Sequence, residues 1–124
     1  MIACDTSSLS SYFQGEEGPD IEAVHGAFRS GSLILPPVVL TEILSDPKIP
    51  DRLVAIVLTF ERLQLTDGYW RRAGEARRQV KSKGLRAKLG DALIAQSCLD
   101  HDVALITRDE DFRHFAKHCG LKIA

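Results

Sequence analysis

Cysteine is scarce in this sequence, and nothing about its placement suggests a framework. Cys4, Cys98 and Cys119 are the only three, widely spaced and without a CxxC pair. Such a set excludes a disulfide scaffold or a thiolate zinc site, and it suits buried thiols in a reducing cytosol. No apolar run reaches membrane-spanning length, and no charged-then-apolar leader precedes the strand-like residues that begin at Ile2. The expectation is a complete, soluble, cytoplasmic protein with no membrane partner. A glycine-rich phosphate loop is also missing. His114 and His118 stand four apart, a spacing that can bind zinc, but no HExxH motif or cysteine accompanies them.

What is present suffices for one ordinary domain spanning residues 1–124, with 44% hydrophobic and 27% charged residues. A chain of this length buries enough surface to fold without staples. The net charge of −1 points to no partner. Its distribution is uneven, however. Eight of the sixteen basic residues and one of the seventeen acids fall between Gly68 and Gly90. A basic segment therefore sits on an otherwise acidic chain.

Taken in order, Ile2-Ala3-Cys4 reads as a short strand that ends on Asp5. Leu9, Tyr12 and Phe13 then fall at helical spacing behind good capping residues. Gly15 to Asp20 reads as a loop, and Ile21, Val24 and Phe28 mark a helix that Gly31 closes. Ser32 to Leu35 forms a second strand, and Pro36-Pro37 starts a helix that puts Val38, Val39, Glu42 and Ile43 on one side. Another helix carries Leu53, Ile56, Val57 and Phe60, and Arg62 to Leu65 alternates like a strand. Tyr69, Ala73, Ala76 and Val80 form the apolar stripe of the basic helix. A helix headed by Asp91 follows, then a buried strand from Val103 to Thr107, a helix with Phe112 and Phe115 closed by Gly120, and a final strand at Leu121 to Ile123. Strands alternating with helices imply an α/β fold with three layers, a central parallel sheet of four to five strands and helices on both faces.

Sites in such sheets lie beyond the carboxyl ends of the strands. That rule selects Asp5 after the first strand, and Asp109 and Asp111 after the strand ending at Thr107. Glu42 and Asp91 lie on helix faces that should turn inward. Asp5, Asp91 and Asp109 can also be read as helix caps or first-turn acids, whereas a mid-helix glutamate on an apolar face needs a partner. Five converging acids repel one another, and Arg108 is the only nearby cation in the motifs. A divalent cation resolves that repulsion, and oxygen-only ligands select Mg2+ or Mn2+. Such an ion stabilises charge on a phosphoryl group, and a carboxylate beside the attacking water can serve as general base.

Four segments carry a family resemblance. They are Ile2-Ala3-Cys4-Asp5-Thr6-Ser7 with Leu9, Val38-Val39-Leu40-Thr41-Glu42-Ile43, Gly90-Asp91-Ala92-Leu93-Ile94-Ala95, and Leu105-Ile106-Thr107-Arg108-Asp109-Glu110-Asp111-Phe112. In this order and at these separations they resemble PIN domains, in particular the VapC-type toxins of toxin–antitoxin pairs. The resemblance covers nearly the whole chain. It implies a Mg2+- or Mn2+-dependent endoribonuclease in which Asp5, Glu42, Asp91 and Asp109 form the acidic quartet. Asp111 is the additional acid of some members, with Asp109 preferred as the direct ligand. Thr107 and the Thr6 or Ser7 hydroxyl resemble groups that orient carboxylates.

The resemblance also implies a homodimer held inactive by a small antitoxin of VapB type. Arg71, Arg72, Arg78, Lys81, Arg86 and Lys88 are then candidates to track an RNA backbone or an acidic stretch of the antitoxin, or they form a solvated face. Trp70 beside them is a candidate for stacking on bases. The alternative function is a non-catalytic RNA- or protein-binding module of the same fold.

Overall fold

The computed structural model describes residues 1–124. The elements run β1 (Ile2–Cys4), α1 (Thr6–Phe13), α2 (Pro19–Ser30), β2 (Leu33–Ile34), α3 (Pro37–Leu44), α4 (Asp51–Leu58), α5 (Tyr69–Lys81), α6 (Leu89–His101), β3 (Leu105–Ile106) and α7 (Phe112–Cys119). β1 lies between β2 and β3, and both pairings are parallel. Ala3 is opposite Ile34 on one side and Leu105 on the other.

The sheet has three strands, not the four to five expected. Arg62 and Ile123 stand where the outer strands would run, but each makes only an isolated parallel bridge, to Leu35 and Leu105 respectively. The reason is burial. Of the alternating residues Arg62 to Leu65, only Leu63 is buried, and of Leu121 to Ile123 only Leu121. One buried side chain anchors a bridge but not a strand.

Successive strand residues point to opposite faces. Ala3 and Cys4, and likewise Leu105 and Ile106, are all buried, so both faces of the sheet are covered. α6 is the central helix. Ala92, Ile94, Ala95, Gln96, Ser97 and Cys98 are buried in succession, so it is enclosed nearly all round by α3, α5 and α7. On α5 the stripe of Tyr69, Ala73, Ala76 and Val80 is buried as its spacing predicts. Gly31 and Gly120 end α2 and α7 in the left-handed conformation, with φ of 72° and 81°. α2 begins at Pro19, within the segment expected to be loop, because proline suits the first helical turn. No helix is long and apolar enough to cross a membrane.

Phe115 is fully buried beside Phe112, with their ring centroids 6.4 Å apart. Phe115→Ala is expected to lower stability by about 3–5 kcal/mol in urea denaturation. Trp70→Ala, on an exposed side chain, should change it by no more than about 0.5 kcal/mol.

Candidate functional site

β1 and β3 deliver their carboxyl ends to one edge of the sheet. The Asp5 N–H donates to the Ile106 carbonyl at 3.1 Å, so the residues just beyond both strands meet. Asp5 is 2% exposed and caps α1, its Oδ1 accepting the Ser8 N–H at 2.9 Å. Its Oδ2 accepts the hydroxyls of Ser7 at 3.0 Å and Thr107 at 2.5 Å. Thr107 Oγ1 in turn accepts the Asp109 N–H at 3.0 Å, and Asp109 Oδ1 accepts the Asp111 N–H at 2.9 Å. A continuous run of hydrogen bonds thus leads from Asp5 to Asp111.

Asp91 approaches from α6. It is the third residue of that helix, with Lys88 at the capping position, so it is a first-turn acid and not a cap. Its Oδ2 is buried and has no hydrogen-bond partner. Burial pushes the Asp91 carboxyl up to about 6, and the neighbouring charges of Asp109, Asp111 and Asp5 act in the same direction, opposed by Lys88. One carboxylate oxygen from each of Asp91, Asp109 and Asp111 lies within 4.8 Å of the other two. An orphaned carboxylate oxygen facing two further acids is a donor set that fits a hard divalent cation.

The five expected acids do not all meet at one point. Asp5 lies outside the group of three and is coupled to it through Thr107. Glu42 is exposed, although it was expected on the inward face of its helix; α3 buries only Val39 and Ile43. Glu42 Oε1 instead accepts the Thr6 hydroxyl at 2.6 Å. It still borders the site, because a Cβ at Gly90 would lie 3.4 Å from its Oε2. Glycine at position 90 therefore brings Glu42 close to the turn that carries Asp91. Thr6, Ser7 and Thr107 each donate to a carboxylate of this set.

The cations near the acids differ from expectation. Arg108 is held elsewhere, by Asp20 at 2.8 Å and Glu16 at 3.6 Å. The Arg108 guanidinium keeps the Asp20 carboxyl below the usual carboxylate range, against partial burial and with help from Ser8. The cations that do approach are Arg86, 4.0 Å from Asp111, and Lys88 beside Asp91. On the basic helix Arg71 pairs with Glu75. Arg72 ties α5 to α6 by donating to both carboxylate oxygens of Asp100, to Thr66 and to the Asp67 carbonyl. Arg78 and Lys81 are exposed and make no ion pair. They border a cleft of about 690 Å³ between α5 and α6, with Trp70, Ala73, Leu89 and Leu93 among its walls. Asp20 and Ser8 were not singled out in the sequence; the signal was Pro19, which marks Asp20 as a first-turn residue of a helix.

Residues 2–118 match the family model described as PIN domain. The chain belongs to the PIN domain family. A search of curated proteins found no match. Among solved structures, the fold of this PIN domain is similar to VapBC2 from Rickettsia felis, crystallised bound to a DNA fragment from the promoter. There the identity is 18%, the coverage 100% of this chain and 98% of the other, and the TM-score 0.76. It is also similar to FitAcB from Neisseria gonorrhoeae, with 16% identity, 99% and 96% coverage and a TM-score of 0.70.

The raised pKa of Asp91 has a consequence for stability. The fold favours the protonated acid, so this residue's stabilising contribution is present below about pH 4 and is lost as pH rises through about 6. Asp91→Asn removes the charge and keeps the shape. In metal-free buffer it should melt above wild type at pH 7.5, with the difference closing towards pH 4 in thermal denaturation. Added Mn2+ should raise the wild-type melting temperature more at pH 7.5 than at pH 5, since protons compete for the same oxygen.

Proposed function

We propose that this PIN domain is a Mg2+- or Mn2+-dependent endoribonuclease of VapC type, the toxin of a toxin–antitoxin pair. The observation that carries the reading is the unpartnered, buried Oδ2 of Asp91 set against Asp109 and Asp111. Asp91, Asp109 and Asp111 would surround the ion, with Asp109 preferred over Asp111 as the direct ligand. When bound, the ion stabilises charge on a phosphodiester and makes water a stronger acid. Asp5 works from behind, since its carboxylate orients Thr107 and Thr107 holds the Asp109 backbone. Glu42, exposed and steadied by Thr6, is the acid free to take a proton from the attacking water.

A polyanion needs cationic surface beside so acidic a centre. Arg86 and Lys88 already reach its edge, and Arg78 and Lys81 extend the same charge along α5. Arg71 and Arg72 contribute less, being engaged with Glu75 and Asp100. The fold shared with VapBC2 and FitAcB supports a small antitoxin of VapB type as partner; we also take the assembly to be a homodimer acting in the cytoplasm.

Purified protein is expected to cleave RNA with Mg2+ and to stop when EDTA is added. Asp5→Asn and Asp91→Asn should abolish cleavage with an unchanged circular dichroism spectrum. Cleavage by both variants at the wild-type rate would remove the proposal. RNA binding that persists in EDTA without any cleavage would favour the non-catalytic module. Thr107→Val should weaken Mn2+ binding by about 10–100-fold in titration calorimetry, because it frees both the Asp5 carboxylate and the Asp109 amide.

A further inference from the structure

Arg108 poses a problem for a metal site. It stands between Thr107, which is hydrogen-bonded to Asp5, and Asp109 in the acidic group. A guanidinium on that loop is a built-in rival for a divalent cation, since it offers charge and a donor fork that suits carboxylates. Its charge is within electrostatic reach of Asp5. Yet its side chain points to a different partner. Nε donates to Asp20 Oδ2 at 2.8 Å and Nη2 to Asp20 Oδ1 at 3.2 Å.

Asp20 is built into its place. The fully buried Ser8 hydroxyl donates to its Oδ2 at 2.9 Å, while the Ser8 N–H holds Asp5. Its side chain is only 10% exposed. Gly18, at φ 147°, leaves the necessary space: a Cβ there would lie 2.9 Å from Asp20 Oδ1 and 3.5 Å from Arg108 Nη2. Glu16 adds a second, more exposed acid at 3.6 Å.

We infer that Asp20 is a positioning residue whose task is to sequester Arg108, so that the guanidinium does not fold onto the carboxylates and occupy the cation site. The inference rests on the metal reading of Asp91, Asp109 and Asp111. It differs from a plain structural clamp in one respect. If Asp20 only anchors the loop, losing either partner damages the site equally. If it sequesters a rival, losing Asp20 is harmful and losing Arg108 is harmless.

Mn2+ binding, measured by calorimetry and by the loss of the free-ion electron paramagnetic resonance signal, separates these cases. Asp20→Asn keeps the side-chain shape and an acceptor for Ser8 while removing the charge. It is expected to weaken Mn2+ binding about tenfold, the effect of placing one cation near the site at intermediate dielectric. Arg108→Ala alone should bind Mn2+ as wild type does, and Asp20→Asn/Arg108→Ala should return to the wild-type value. Thermal melts of all three identify any folding defect, and Asp20→Glu, which keeps the charge, should restore most of the affinity.

Wild-type affinity in Asp20→Asn overturns the inference and leaves the metal reading standing. So does a double variant that remains as weak as Asp20→Asn. Absence of Mn2+ binding by the wild type overturns the metal reading, and this inference with it.

Discussion

The structure turns on one carboxylate that its surroundings do not satisfy. Asp91 Oδ2 is enclosed and lacks a donor, and the charges nearest it include two more acids. An orphaned polar atom in a protein interior is costly, and like charges beside it increase the cost. Its place in the first turn of α6 brings some relief from the helix dipole, but no backbone N–H reaches Oδ2. The rest of the helix holds it there. Ile94, Ala95 and Cys98 continue its side of α6 into the core and fix the backbone that carries it. The proposed metal site rests on this unsatisfied carboxylate.

Around Asp91 the parallel sheet performs the alignment. Because β1 and β3 run in the same direction, their ends present Asp5 and Thr107 side by side. From there, hydroxyls and amides pass position from one residue to the next, and no long side chain has to be held by packing alone. The cations are distributed by the same economy. Two of them, Arg72 and Arg108, are bound to nearly buried acids. Arg78, Lys81, Arg86 and Lys88 are exposed, and of these Arg86 reaches Asp111 at the acidic edge.

The sequence carried the fold well where a signal was local. The strand at Ile2, the stripe of α5 and the glycine stops at Gly31 and Gly120 follow from periodicity and backbone preference alone. The outer strands did not, because alternation at Arg62 to Leu65 says nothing about whether another layer covers those residues. Among the acids, the rule of strand ends led to Asp5 and Asp109, and both lie at the sheet edge. The inward face assigned to Glu42 failed for a geometric reason: an eight-residue helix buries a narrow stripe, and Glu42 lies beside it. Partners distant in sequence were invisible. Arg108 and Asp20 are 88 residues apart, and no pattern of spacing links them.

The strand order carries a further meaning for how the protein comes into being. β1 lies at the centre of the sheet, yet one of its neighbours is β3, and Asp5 meets Thr107 across 102 residues of chain. Loop closure over such distances comes late in folding and slows it. During synthesis, the first strand can pair with β2 early, but on its other side it has to wait for nearly everything that follows. The acidic edge therefore does not exist on a growing chain. The edge is complete only once β3 and the loop after it have emerged and folded back onto the beginning.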